Sequence, residues 1–202
     1  MDNIKFMAPA TIVLSGTTSS GKSTWVNKLL NSDMFDKSPI NIYYFYGVYQ
    51  NNFEKVPNVQ FFRGLPDSFE PYFGDGHNLI IIDDLQDEVS NSKSVENLFT
   101  RESHHRNVSV IYINQNLFYQ GKHARTIALN THYTVLFRNP RASSHLRTLK
   151  SQTGIKHIEK AYDDAMKNDQ FGYLLIDLSP YSQTKYKLRT RIFPGEDVVI
   201  YE

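Results

Sequence analysis

The most informative segment of this 202-residue chain is Gly16-Thr17-Thr18-Ser19-Ser20-Gly21-Lys22-Ser23. It fits the pattern G-x-x-x-x-G-K-[ST] at every fixed position, and it stands between a β-branched run and an amphipathic, helix-like stretch. Gly16 and Gly21 let the backbone curl so that successive N–H groups point at phosphate oxygens, at the positive end of the following helix. Lys22 supplies a point charge for the β- and γ-phosphates, and Ser23 offers a hydroxyl to Mg²⁺. The stretch therefore predicts a phosphate-binding loop.

Apolar runs rich in β-branched and aromatic residues alternate with helix-like stretches along the chain. The predicted strands are Thr11–Ser15, Ile42–Val48, Leu79–Asp83, Val108–Asn114, Tyr133–Phe137, Tyr173–Leu178 and Tyr186–Phe193. The predicted helices are Lys22–Asn31, Lys93–His104, Ala142–Thr153 and Ile155–Met166. Short runs without alternation, such as Leu79–Ile82, are typical of strands buried on both faces. Since no repeat, low-complexity segment or linker interrupts the pattern, we expect one α/β domain over residues 1–202, with a mostly parallel sheet flanked by helices.

Two carboxylates follow the apolar run Leu79–Ile82. Asp83 stands where it would hold Mg²⁺ through water, and the alternative is a helix cap after the strand. Asp84 stands where many NTP-hydrolysing motors place the carboxylate that activates the attacking water, which a general base must reach directly or through one intermediary. The alternative for Asp84 is a solvated loop carboxylate, because Asp is one methylene shorter than the commoner Glu.

A second apolar strand, Val108–Asn114, ends in amides. An amide at a strand tip can orient water against the γ-phosphate. Gln115 is the first choice for this sensor role and Asn116 the second, while the alternative is a loop amide that caps the next helix.

Three arginines are candidates for an arginine finger supplied by a neighbouring subunit: Arg101, Arg106 and Arg141. Such a residue is worth about 10³–10⁵ in rate where it operates. Each of the three could instead bind DNA or form a salt bridge, and the sequence does not choose among them.

The net charge of +1 conceals two opposed halves. Residues 1–100 carry a net charge of −5, and residues 101–202 carry +6. Residues 101–160 alone hold ten Lys and Arg against Glu102 and Glu159. This stretch is either a solvated basic face or a surface that meets phosphates. Lys122, His123 and Arg125, in a loop after the sensor strand, are candidate DNA contacts.

Composition excludes several classes of protein. The chain is 40% hydrophobic, which favours a folded core over disorder. It has no cysteine, which excludes a disulfide scaffold, a zinc finger and a thiol nucleophile. Because no apolar run reaches about 18 residues and the amino terminus lacks a signal-peptide core, we expect an intracellular protein with no membrane partner.

Four stretches appear in an order that resembles a known family. They are Gly16–Thr24, the Ile-Ile-Ile-Asp-Asp-Leu of residues 80–85, the block Ser103–Phe118, and Leu136-Phe-Arg-Asn-Pro-Arg141. In this order they resemble the genome-packaging ATPases of Polinton (Maverick) elements and adintoviruses. These enzymes are related to the poxvirus and virophage packaging ATPases of the FtsK–HerA superfamily.

The resemblance implies a RecA-like P-loop NTPase of the ASCE type. It further implies a homo-oligomeric ring that drives double-stranded DNA into a capsid at its portal or vertex, and therefore acts where virions assemble in the host cell. ATP and Mg²⁺ are the implied cofactors. The implied nucleotide ligands are Gly16, Thr17, Thr18, Ser19, Ser20, Gly21, Lys22, Ser23 and Thr24. Ser23 and Asp83 carry over as Mg²⁺ ligands, and Lys22, Asp84 and Gln115 as the catalytic set.

The sequence departs from the pattern of the family at two positions. Ala142 follows Arg141 where the family has an acidic residue, so that no partner for Arg141 is assigned. Asp84 stands where many superfamily members outside the viral branch have Glu.

Three other functions fit the phosphate loop. One is a nucleoside or nucleotide kinase, and another is a helicase-type motor with a different cargo. The third is a nucleotide-dependent switch without turnover. The amide-tipped strand favours hydrolysis over transfer to a small acceptor.

Overall fold

The computed structural model describes residues 4–49, 58–167 and 169–202. Within these residues nine strands form a single sheet. In chain order they are β1 (Thr11–Ser15), β2 (Asn41–Tyr46), β3 (Val59–Arg63), β4 (Asn78–Asp83), β5 (Val108–Asn114), β6 (Tyr133–Phe137), β7 (Tyr173–Asp177), β8 (Leu188–Thr190) and β9 (Val199–Tyr201). They lie side by side in the order β3-β2-β4-β5-β1-β6-β7-β8-β9.

The sheet is parallel from β3 to β6, and β7, β8 and β9 continue it in antiparallel pairs. Strand β5 lies between β1 and β4, so that Asn114 pairs with Ser15 on one side and Ile113 with Asp83 on the other. The carboxyl ends of these three strands therefore meet at one edge, where open α/β sheets bind their ligands. The mostly parallel sheet predicted from the sequence is confirmed.

Helices cover both faces of the central strands. They are α1 (Lys22–Leu30), α2 (Gln86–Asn91), α3 (Lys93–Asn97), α4 (Ser103–His105), α5 (Ala124–Leu129), α6 (Ala142–Thr153) and α7 (Ile158–Met166), and a π-helical turn over Leu98–Glu102 joins α3 to α4. Helix α1 packs on one face. Helices α2, α3 and α5 pack on the other face over β4 and β5, and α6 and α7 pack there over β6, β7 and β8. Burial on both faces explains why the central strands are continuous apolar runs.

The two terminal segments fasten α1 to the sheet. The ring of Trp25 meets Phe6 and Phe193 edge-on, with centroids 6.1 and 5.3 Å apart. Lys28 forms a 2.7 Å ion pair with Glu196. The helix that follows the phosphate loop is thus held by residues from both ends of the described chain.

Several predicted elements are shorter in the structure. The strand predicted over Ile42–Val48 ends at Tyr46, and the one predicted over Tyr186–Phe193 is confined to β8, because Arg191 takes a left-handed conformation with φ 54°. The helix predicted to begin at Ile155 begins at Ile158, since Gly154 ends α6 with φ 71°.

Candidate nucleotide site

The loop between β1 and α1 has the backbone that its glycines predict. Gly21 has φ 103°, and a Cβ on Gly16 would stand 2.6 Å from Cβ of Phe137, so neither position accepts a side chain without displacement. The Lys22 ammonium folds over the loop and donates to the carbonyl oxygens of Gly16 at 2.7 Å and Thr17 at 2.8 Å. These bonds hold the ammonium at the phosphate loop, where it could form ion pairs with phosphate oxygens.

The two carboxylates at the end of β4 differ in their surroundings. Asp83 is buried, and it accepts a 2.8 Å hydrogen bond from the hydroxyl of Tyr44 on β2. Asp84 is exposed and left-handed, with φ 56°. Its carbonyl oxygen passes so close to Gly47 that a Cβ there would stand 2.3 Å from it. The chain therefore separates a buried carboxylate, suited to hold a cation, from an exposed one that can face water.

The ammonium group of Lys22 interacts electrostatically with both carboxylates. Burial lowers the pKa of the Lys22 ammonium from its ordinary value, and the negative charges of Asp83 and Asp84 partly oppose that shift. The loop lysine and the two carboxylates at the end of β4 therefore lie close enough to interact electrostatically.

The amides after β5 lie beside the loop. Gln115 is exposed, and its backbone N–H donates to Oε1 of Gln86 at 3.2 Å. Oδ1 of Asn116 accepts from the backbone N–H of Phe118 at 3.2 Å, a contact within the loop that does not cap the next helix. Both residues line one groove with Thr17. Of these two amides, Gln115 is the one whose side chain is exposed at the surface of the site.

Asn114 is a site residue that the sequence analysis missed. It is the last residue of β5, it is buried, and it pairs with Ser15 directly before the phosphate loop. Its position next to the loop follows only from the strand order. An apolar strand that ends in a buried amide was the available signal, but it did not distinguish Asn114 from Gln115.

Three of the buried polar atoms that lack a hydrogen-bond partner in the described residues lie at this edge, where a polar ligand could satisfy them. Within the described residues, Oγ of Ser15, Oγ of Ser20 and Oδ1 of Asn114 have no hydrogen-bond partner. Such atoms are costly in a fold unless something satisfies them. The hydroxyl of Ser23 and the carboxylate of Asp83 add the oxygen donors that Mg²⁺ prefers. The residues present therefore fit a Mg²⁺–nucleotide.

The arginines occupy opposite edges of the sheet. Arg141 lines the groove that also contains Thr17 and Gln115, on the side of the phosphate loop. Arg106 lies just before β5, at the amino-terminal edge, where it forms a 3.7 Å ion pair with exposed Glu70. Arg101 is exposed in the π-helical turn. Arg141 therefore lies near the phosphate loop of its own chain, whereas Arg106 lies at the opposite edge of the sheet.

The three proposed DNA contacts do not share one environment. Lys122 and Arg125 are exposed. His123 is buried, and its Nδ1 lies 2.7 Å from Oε2 of Glu96. In this conformation His123 connects the loop to α3 through Glu96. Because the imidazole is buried and already paired, it is not available to a phosphate backbone.

With its mostly parallel sheet and flanking helices, the chain has a P-loop NTPase fold. It is similar in structure to the DNA-packaging ATPase B204 of Sulfolobus turreted icosahedral virus, with a TM-score of 0.58, 11% identity and coverage of 96% of this chain and 98% of that chain. It is also similar to the genome packaging NTPase B204 of Sulfolobus turreted icosahedral virus 2. The complex of that protein with AMPPCP gives a TM-score of 0.57 at 14% identity, covering 96% and 97% of the two chains. Its complex with ATP-γS gives 0.54 at 14% identity, covering 99% and 98%.

No protein-family model matches the sequence, and no curated protein matches it. At these low identities the structural similarity establishes the fold. In the described part of the chain, no helix has the length and hydropathy required to cross a bilayer.

Proposed function

We propose that this protein is a Mg²⁺-dependent ATPase that translocates double-stranded DNA and packages the genome of a virus or a virus-like element into its capsid. The observation that carries the proposal is the meeting of Lys22, Asp83, Asp84 and the amides after β5 at one edge of the sheet. Two further points support it: the order of the sequence motifs, and the packaging function named for the B204 proteins of similar fold.

Each side chain of the site has a distinct task in hydrolysis. Backbone N–H groups of residues 16–24 would bind the phosphates, and Lys22 would neutralise charge on the β- and γ-phosphates. Ser23 and Asp83 would hold Mg²⁺, which when bound neutralises the charge that develops on these phosphate oxygens. Asp84 would accept a proton from the attacking water, and Gln115 would orient that water. Asn114, packed beside Ser15, would position the tip that carries Gln115.

The arrangement of charge supports a ring acting on DNA. A finger from Arg101 or Arg106 requires a neighbouring subunit, and a ring multiplies weak contacts on one tethered duplex. Lys122 and Arg125 would contact the phosphate backbone, which carries no sequence information. We place the ring at a capsid vertex in the infected or host cell. We assign the chain to the Polinton and adintovirus branch of the FtsK–HerA superfamily on its motifs alone.

The test is ATP turnover with and without double-stranded DNA, together with a panel of nucleosides as phosphate acceptors. We expect turnover that DNA stimulates, and that Asp84→Asn abolishes while ATP binding remains. Lys22→Ala should remove binding and turnover together. Phosphorylation of a nucleoside without stimulation by DNA would overturn the proposal in favour of a kinase. Binding of ATP without turnover would favour a switch.

A further inference from the structure

Phe171 lies exposed against the phosphate loop. The residue is 48% exposed, although the strand β7 that follows it is buried. It packs directly on Gly21, since a Cβ at Gly21 would stand 3.1 Å from both Cβ and Cδ1 of Phe171. One side of the aromatic side chain is thus supported by the loop backbone, and almost half of its surface faces solvent beside the residue that precedes Lys22.

The segment that carries Phe171 is fastened to the same loop. The N–H and Oγ1–H of Thr17 donate to the carbonyl oxygen of Arg138 at 3.4 and 3.2 Å. The guanidinium of Arg138 donates to the carbonyl oxygens of Met166 at 2.5 Å and Asp169 at 3.2 Å. Oδ1 of Asp169 accepts from the N–H of Phe171 at 2.8 Å. A continuous set of hydrogen bonds therefore positions Phe171 from the phosphate loop.

The strand order places Phe171 and the carboxylates on opposite sides of the loop. Asp83 and Asp84 follow β4, two strands from β1 on one side, whereas Phe171 precedes β7, two strands from β1 on the other. Because β7 is antiparallel to β6, its beginning lies at the edge where β1 ends. A nucleotide whose γ-phosphate faces the carboxylates would extend its ribose and base away from them. Phe171 stands on that side.

We propose that Phe171 is the platform on which the base of the bound nucleoside triphosphate stacks. This inference rests on the proposed nucleotide function of the loop. An aromatic platform recognises the π-face of a base and is tolerant of its hydrogen-bonding edge. ATP and GTP should therefore bind alike.

The experiment compares two probes, ATP-γS and inorganic tripolyphosphate, by calorimetric titration in the presence of Mg²⁺. The variants are Phe171→Ala, Phe171→Tyr and, as a matched control, Tyr181→Ala, which removes an exposed aromatic side chain beyond the other end of β7. We expect Phe171→Ala to weaken ATP-γS binding about tenfold or more, the loss typical of a truncated aromatic platform. Tripolyphosphate binding should not change. Phe171→Tyr should retain the wild-type affinity, and Tyr181→Ala should have no effect.

Two results would overturn the inference while leaving the proposed function intact. Unchanged ATP-γS affinity in Phe171→Ala would show that no stack forms. An equal loss of ATP-γS and tripolyphosphate affinity would show that Phe171 acts on the shape of the phosphate loop instead. If the wild-type chain binds neither probe, the proposed nucleotide function fails and the stack fails with it.

Discussion

The hydroxyl of Tyr44 donates a hydrogen bond to Asp83, the carboxylate proposed to hold Mg²⁺. Burial raises the pKa of Tyr44, and the charge of Asp83 adds to the shift, so that the phenol stays protonated and donates its hydrogen bond. Outer partners of this kind orient metal ligands, and their loss typically costs about 10–100-fold in metal affinity. Tyr44 is thus a positioning residue for the cation.

Tyr44→Phe should raise the Mg²⁺ concentration needed for half-maximal ATP turnover by about tenfold, because Asp83 loses the bond that orients it. Turnover at saturating Mg²⁺ should remain near the wild-type value. The measurement is a Mg²⁺ titration of turnover, with Tyr43→Phe, on the opposite face of β2, as the control. A loss of turnover that saturating Mg²⁺ does not restore would contradict the positioning role.

At the scale of elements, the junction between β2 and β4 controls where Asp84 stands. Gly47 follows β2 and donates its N–H to the carbonyl oxygen of Asp83 at 3.0 Å. The left-handed turn at Asp84 brings its carbonyl oxygen against Gly47. The position of the proposed general base therefore depends on the absence of a side chain at residue 47.

Gly47→Ala should lower ATP turnover by about a hundredfold, since a misplacement of roughly 1 Å can have that effect on a catalytic group. ATP binding should change less, because the phosphate loop is a separate segment. Gly74→Ala is the control, as a Cβ at Gly74 would only reach 3.4 Å from Nδ2 of Asn41. Steady-state kinetics and calorimetric ATP binding decide the matter. Equal effects of the two substitutions would refute the close-approach argument.

Elements with long apolar runs or clear amphipathic spacing were predictable from the sequence, whereas half-exposed edge strands and very short helices were not. The bounds of β1, β5, β6 and α6 agree with those predicted, because long apolar runs and amphipathic spacing mark them. Strands β3 and β9 were missed, since they are half-exposed and lie at the two edges of the sheet. Helices α2 and α5 were missed because six residues are too few to show a helical period.

The candidate site was predictable only where residues adjacent in sequence create it. The phosphate loop and Asp83–Asp84 are such cases. Asn114 and Phe171 are not, since they reach the loop through strand pairing across about 100 residues or more. Likewise, His123 is buried against Glu96 through a tertiary contact. The basic residues beside it in the sequence gave no indication of that contact.

For the whole molecule, the question is whether the exposed basic residues Lys122 and Arg125 contact DNA. If Lys122 and Arg125 contact DNA, replacing both by Ala should flatten the dependence of log affinity on log salt by about one unit for each lost contact. Lys37→Ala, which removes an exposed lysine elsewhere, should leave the slope unchanged. Fluorescence anisotropy of labelled duplex DNA over a range of salt measures it. A slope that the double variant leaves intact would remove both residues from the DNA path.

Folding stability should fall below about pH 6.5, the ordinary pKa of histidine. Burial lowers the pKa of His77, His132 and His145 in the folded chain, so the unfolded chain binds more protons as the pH decreases, and the free energy of unfolding declines. The neutral form of His77 is fixed by its Nδ1–H donating to the carbonyl of Lys37 at 2.6 Å and its Nε2 accepting from Ser109 at 2.8 Å.

Thermal unfolding between pH 8 and pH 5 measures this effect. We expect a constant Tm above neutrality and a decrease below it, which His77→Gln should make shallower, though from a lower starting Tm. A Tm that holds or rises down to pH 5 would contradict the assignment of neutral histidines.

Strand β5 also has a mechanical consequence. All seven of its residues are buried, one end carries Asn114 beside the phosphate loop, and the other follows Arg106 at the far edge. At about 3.3 Å per residue, the strand is a rod roughly 23 Å long that cannot shorten or bend independently of its neighbours. We therefore predict that a displacement at one end of the strand is accompanied by a displacement at the other. Spin labels at Gln115 and His105 should shift together on nucleotide binding, and independent shifts would contradict a rigid linkage.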